Sequence, residues 1–479
     1  MAMKVIILGG GLAGLETAVR LVRGGCHVTV VEKDKVPGGM VGTFAETFNG
    51  EKYFFDYGPH LYFHEHRARF EEYLQEPLLS FEGYFSMAAN RKMVLYPFQL
   101  GDLLRNYGPL FFARMIGSAA WSRISRKFRS AALEDATAAS WMQEKFGNFL
   151  FQEVFKSYIE KNCLLPAEEV SPLWFSERKH VTGGGAASVI FAKLFSLLPF
   201  SRKEKVNQPT STNLTAFYPR GGSGTIPEAM ADLIRKHDGE VLLDTVLESI
   251  EMDEENRRIR QIAIRRDGEG EILDGDFFVS TIPLPEFIRA LPSYIDDTYV
   301  RAAASLRSVT LVLLYLIVKM PKVAVPMEIF FADPEIPFKR IYEPRNLMPD
   351  SAPENRTSLC LEICVEDGEE INPADLFARS IRGLEKYGLL EEKHILSHFF
   401  REVPNAYPRY QKGFEKERMR LYRYISTFEN LICTGRQGLF KYGSMTHQVM
   451  EMAKATAAHI LSGEKVKGKP VDGPDLPFV

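Results

Sequence analysis

Four residues near the start of the chain are spaced for dinucleotide chemistry: Gly9, Gly11, Gly14 and Glu32. In a G-x-G-x-x-G turn the first glycine permits a tight bend, the second lets backbone approach a pyrophosphate, and the third lets a helix pack closely on the preceding strand. Leu12 and Ala13 fall in the first turn of that helix, whose N-terminal amides would face the phosphates. Glu32 stands where a carboxylate accepts hydrogen bonds from both ribose hydroxyls of an adenosine, with Lys33 next to it. Stepping outward, Val5 to Leu8 is an apolar run of strand length, Leu12, Leu15, Val19 and Val22 recur at helical spacing, and His27 to Val31 reads as a second strand ending on Glu32. The glycines alone are a weak signal. Combined with strand, amphipathic helix, second strand and terminal acid they define a dinucleotide-binding βαβ unit.

Other chemistries find little support. His60, His64 and His66 lie in an aromatic loop without the further ligands of a metal set, and no nucleophile elbow or triad spacing is present. Gly183 to Ser188 is glycine-rich, but it lacks a third glycine at the right spacing and a preceding strand, so it reads as a loop. The five cysteines form no C-x-x-C pair; Cys360 and Cys364 are four apart in an apolar strand-like run and are expected on one buried face. With 479 residues, 45% hydrophobic and 25% charged, the chain has the make-up of a soluble enzyme of two or three domains. A net charge of -3 gives no sign of nucleic-acid binding. No leader segment and no apolar run of membrane-spanning length is evident, which suggests the cytoplasm, with peripheral contact to the inner face of a membrane as an alternative.

Beyond Glu32 the chain runs through Gly38-Gly39-Met40 and then Asp56-Tyr57-Gly58-Pro59-His60. In that order these elements resemble the FAD-dependent superfamily of amine oxidases, protoporphyrinogen oxidases, phytoene-type desaturases and UDP-galactopyranose mutases. Tyr96-Pro97-Phe98-Gln99, Tyr158-x-x-Lys161 and the segment around Trp174 are similar to its protoporphyrinogen-oxidase-like and mutase-like branch. Tyr218 to Gly222 opens a helix with a capping-box pair, Thr225 and Glu228, and Ile250 to Ile272 has the pattern of a small meander. Near the end, Gly435-Arg436 and Gly438 to Met445 lead into a helix with one apolar face and resemble the family's closing flavin contact. The amides at the start of that helix could stabilise negative charge at the pyrimidine end of a reduced flavin.

The resemblance implies an α/β fold: a Rossmann-like FAD-binding domain from 1–70, 214–284 and 416–479, and an interleaved α+β substrate domain from 71–213, largely helical, and 285–415, of mixed strands and helices. FAD contacts would come from Gly9, Gly11, Leu12, Ala13, Gly14, Glu32, Lys33, Gly38, Gly39, Met40, Gly58, His60, Val246, Gly435, Arg436, Tyr442, Ser444 and Met445. His60, Arg340 and Tyr407 are the catalytic candidates, with Arg345, Asn346 and Glu362 completing a polar set. The implied activity is hydride removal from a carbon of a bulky, partly apolar small molecule to flavin N5, the electrons passing on to oxygen or a quinone. The alternative is a mutase-like nucleotide-sugar isomerase using reduced FAD. Against that alternative, Met445-Thr446 stands where the mutase-like branch has Met-Asp; Met40 stands where amine oxidases often carry Arg.

Finally, in 106–129 Leu110, Phe111, Met115, Ile116, Trp121 and Ile124 interleave with Arg114, Arg123, Arg126, Lys127 and Arg129. This basic amphipathic pattern fits either a substrate-domain helix with a solvated basic face or contact with an anionic membrane surface.

Overall fold

The computed structural model describes residues 2–64, 67–126, 136–176, 214–253, 255, 257–323, 326–442 and 445–463. A parallel five-stranded sheet runs in the order Leu431–Cys433, Phe277–Ser280, Lys4–Leu8, His27–Val31, Glu240–Leu242. Its strands are continuous apolar runs because helices cover it: Leu12–Arg23 lies along Thr446–Ser462 and Thr225–Lys236. The strand order places the last strand of the chain two positions from the first. The C-terminal ends of Lys4–Leu8, Phe277–Ser280 and Leu431–Cys433 therefore meet, joined by Thr281 N–H to Leu8 O (2.8 Å) and Thr434 N–H to Ser280 O (2.9 Å).

The expected meander is present as Thr245–Asp253, Arg258–Arg266 and Glu269–Asp274, antiparallel throughout. The expected capping box is not. Gly224 is the N-cap of Thr225–Lys236, and the Thr225 hydroxyl donates to Gly222 O (2.8 Å) instead, because the chain enters the helix already in helical geometry.

A second, seven-stranded sheet has the order Ile395–Pro408, Ser308–Val318, Thr357–Glu366, Arg340–Tyr342, Glu328–Phe331, Phe85–Ala89, Lys92–Tyr96. Its last two strands come from a stretch expected to be largely helical. They are added beside Glu328–Phe331, Phe85–Ala89 in parallel, and helices follow them in sequence. Side chains alternate across this sheet. Leu359, Leu361, Ile363 and Val365 pack under the helix Pro373–Lys386, while Cys360, Cys364, Tyr315 and Tyr342 face the hairpin Thr43–Phe48/Glu51–Asp56. Cys360 and Cys364 thus share one buried face, as expected. Asp56 ties that hairpin to its neighbours: its carboxylate accepts from the Thr43 and Tyr218 hydroxyls, and its carbonyl from the Tyr315 and Tyr342 hydroxyls. Burial pushes the Asp56 carboxyl up to about 6 despite these donors.

Candidate active site

The glycine turn sits at the carboxyl ends of the three converging strands, and its glycines have different jobs. Gly9 has a φ of 102°, a conformation that a residue with a side chain resists. A Cβ on Gly14 would run into the carbonyl of Gly9, so the helix can come this close only without one. A Cβ on Gly11 would meet nothing within 4 Å. The space over Gly11 is open, and behind it the helix starts with no side-chain cap and no acid in its first turn. Its first amides are thus available to an anion. Leu12 and Ala13 are buried and offer only backbone.

Gly38 closes over this turn, its N–H donating to Gly10 O (2.8 Å), with Gly39 and Met40 continuing in a short 3₁₀ turn. Glu32 is held by two backbone donors, Gly10 N–H at 2.6 Å and Asp34 N–H at 2.9 Å. Burial raises its pKa and these donors oppose the rise. Lys33 is exposed beside it. Thr245 N–H donates to Glu32 O (2.9 Å), which brings the exposed Val246 alongside. Gly435 leans on the first helix, where a Cβ would lie 2.7 Å from that of Ala13. Met445 is the N-cap of Thr446–Ser462. Ser444 lies outside the described residues, as does the loop 183–188.

Next to this cradle the second sheet contributes a compact charged cluster. Arg340 and Glu362 are cross-strand partners, and Phe330, two residues on from Glu328, pairs with Arg340 from the other side. The Arg340 guanidinium reaches Glu362 at 2.5 Å and Glu328 at 2.9 Å. Burial alone would lower the pKa of Arg340, but the carboxylates of Glu328 and Glu362 hold it above its usual value. Lys339 Nζ lies 3.7 Å from Glu362 and 4.0 Å from the centre of the Tyr407 ring. Tyr407 stacks on buried Tyr442 (5.0 Å), and Arg436 lies over its ring while also reaching Ala406 O and the sulfur of Met40.

His60 closes the arrangement. Its Nε2 is 2.7 Å from Met40 O. A carbonyl can only accept, so Nε2 carries the proton and Nδ1 keeps a lone pair. Burial lowers its pKa to about 4, with Arg340 and Arg436 adding to the effect. A Cβ placed on Gly58 would lie within 4 Å of His60, Glu362 and Arg340 alike, so Gly58 is the close approach that joins them.

The structure therefore gathers Met40, Gly58, His60, Arg340, Glu362, Tyr407, Arg436 and Tyr442 into one place. It leaves out Arg345, which donates to the carbonyls of Ala352, Pro353 and Arg356, and Asn346, which donates to Pro326 O. Those two hold a turn beside Pro344–Asn346, and their expected place in the polar set is corrected accordingly. Sequence reading missed Lys339 and Glu328. For Glu328 the signal was present: it opens the otherwise apolar strand Glu328–Phe331, as Glu362 interrupts Leu359 to Val365. Around the cluster stand the half-buried aromatics Tyr96, Phe85 and Phe330, with Tyr96 edge-on to Phe330 at 5.6 Å.

A model of the flavin containing amine oxidoreductase family matches residues 12–459. The chain belongs to that family. As a family member it is an FAD-dependent enzyme, and the open, uncapped glycine turn and the oriented Glu32 fit the pyrophosphate and ribose of that cofactor. The structure of a reduced UDP-galactopyranose mutase superposes with a TM-score of 0.78 at 18% identity, covering 99% of this chain and 97% of that one. A protoporphyrinogen oxidase-like protein from Exiguobacterium superposes at 0.67 with 14% identity over 97% and 100%. These likenesses show a common fold. The hydroxyneurosporene desaturase of Cereibacter sphaeroides is 48% identical over 40 residues, 8% of either chain, so this chain matches only a small part of that relative's length. Among the described residues no group of side chains could hold a metal ion, and no helix is long and apolar enough to cross a membrane.

Proposed function

We propose that this family member is an FAD-dependent oxidoreductase that takes a hydride from a carbon of a bulky, partly apolar small molecule. The observation that carries this reading is the pairing of Arg340 and Lys339 with buried carboxylates, which leaves Arg436, held over Tyr407 and on Ala406 O, as the cation of the cluster without an acid beside it among the described residues. Arg340 is engaged by Glu328 and Glu362, and Lys339 lies against Glu362 and an aromatic face. Two carboxylates balance two cations, so neither is left free for a diphosphate. The half-buried aromatics beside them suit an apolar body. When bound, FAD supplies a hydride acceptor at N5. The chain's own contribution is to orient the substrate against Tyr407 and the aromatics, to exclude water, and to offer the Nδ1 lone pair of a neutral His60. Oxygen or a quinone would take the electrons onward.

In this reading 1–70, 214–284 and 416–479 hold the cofactor and 71–213 and 285–415 hold the substrate. The desaturase relative adds support for carbon–carbon desaturation over oxidation of a C–N or C–O bond. The mutase-like reading has the Tyr96-Pro97-Phe98 element, Arg340 and the Gly435-Arg436 ending in its favour, but Thr446 stands where that branch has Asp, and a diphosphate at Arg340 would need its carboxylate pairs to open. Anaerobic mixing of the yellow protein with polyenes, porphyrinogens and amines tests the proposal: one class should bleach the flavin. Turnover of a nucleotide sugar only after dithionite reduction, with no bleaching by any of the three, would overturn it.

A further inference from the structure

The helical stretch Leu100–Arg126 is broken at Gly108 (φ 81°, ψ 172°), and Pro109 starts its second part. The inner side of that second part is firmly seated. Met115 and Ala119 are buried, and the hydroxyl of Ser118 accepts from Phe149 N–H (2.9 Å). The outer side is another matter. Leu110, Arg114, Gly117, Trp121 and Ile124 follow one another at alternating steps of four and three, a single stripe along the helix, with the exposed Arg114 leaning over the Phe149 ring at 4.4 Å. Leu110 is 74% exposed, Trp121 69% and Ile124 55%. One such side chain would need no explanation, but three on one stripe do.

Charge is segregated in the same place. The described span 103–125 carries Arg105, Arg114 and Arg123 and no Asp or Glu, in a chain whose net charge is -3. We propose that this face docks on an anionic lipid bilayer, with the helix lying in the interfacial plane. Trp121 has an indole suited to the boundary between headgroups and acyl chains, Leu110 and Ile124 would enter the apolar layer, and the arginine stems would run along the boundary with their guanidiniums on lipid phosphates. The helix is too polar to cross the membrane. Pairing with the same face of a second copy would set one cationic stripe against another. The proposal does not depend on which substrate is oxidised.

Co-sedimentation of the FAD-loaded protein with phosphatidylcholine vesicles, with and without phosphatidylglycerol, tests it. Binding should require phosphatidylglycerol and weaken as salt is raised. The combined Leu110→Ser, Trp121→Ser and Ile124→Ser variant should bind about tenfold or more weakly, and Arg105→Gln should lose about fivefold. Both variants should keep flavin absorbance and melting temperature, since the changed side chains face outward. Equal binding to the two vesicle types, no binding, or a triple variant that binds like the unchanged protein would overturn the proposal. So would a dimer in sedimentation velocity that the triple variant converts to monomer, which would make a second copy the occupant.

Discussion

Gly11 and Gly14 are three positions apart and should fail in opposite ways when given a methyl group. In Gly14→Ala the new carbon meets the Gly9 carbonyl; a destabilisation of about 2–3 kcal/mol is expected even without cofactor, read as a lower melting temperature of the apoprotein. In Gly11→Ala the carbon enters open space, so the apoprotein should melt unchanged while FAD affinity falls about tenfold or more, read by fluorescence titration. Arg340 is a matter of charge. Arg340→Ala leaves Glu328 and Glu362 buried beside each other, and a loss of about 3–5 kcal/mol is expected. Adding Glu328→Gln should recover part of it, which a pair of melting curves would show. For His60 the folded pKa of about 4 lies below the unfolded value of about 6.5. The unfolded state therefore binds the extra proton first as pH drops, and this group's effect is to reduce stability between pH 6.5 and 4. His60→Asn should flatten that part of the stability profile. The rate of anaerobic flavin reduction should show no inflection from His60 between pH 5 and 8.

At the scale of elements, the site depends on strands that meet only through the sheet. Lys161, on the helix Lys156–Cys163, shows how they are held. Its ammonium donates to the carbonyls of Phe331, Asp333 and Phe338, which flank the strands carrying Glu328 and Arg340. Burial pulls the Lys161 pKa down to about 7, while Asp333 opposes this. Three acceptors also demand three N–H donors, which only the charged form has. Lys161→Met should destabilise the protein by about 2–4 kcal/mol through the orphaned carbonyls. It should slow flavin reduction by substrate yet leave FAD binding intact, since the glycine turn lies elsewhere. The strand Ile395–Pro408 was hard to see in sequence because it lies at a sheet edge and mixes Arg, His, Glu and Pro, without the alternation that marks a half-buried strand. It nevertheless brings Tyr407 to the cluster.

For the molecule as a whole, the cofactor cradle joins chain segments more than four hundred residues apart, from Gly9 through Thr281 to Gly435. FAD should act as a clamp on the global fold. At a hundredfold excess over its dissociation constant the stabilisation is about 2.7 kcal/mol, and stripping the flavin should lower the melting temperature by a few degrees or more. Absence of any shift between holo- and apoprotein would mean that the ends are held without it.

Dinucleotide binding was readable from the sequence because its determinants are local, while FAD in particular came from the resemblance carried by Gly38-Gly39, Asp56 to His60 and Gly435 to Met445. One strand, one turn, one helix and the end of the next strand supply Gly9, Gly11, Gly14 and Glu32 in fewer than thirty consecutive residues, and backbone geometry follows from such short spacings. The meander and the shared face of Cys360 and Cys364 were readable for the same reason. The reacting environment was not. Arg340 acquires its two carboxylates from strands twelve and twenty-two positions away, one on each side. Which acids those are, and that Arg345 and Asn346 turn away, depends on strand order and register in a sheet built from distant segments. That is a non-local outcome of burying seven strands together, and only the tertiary structure decided it.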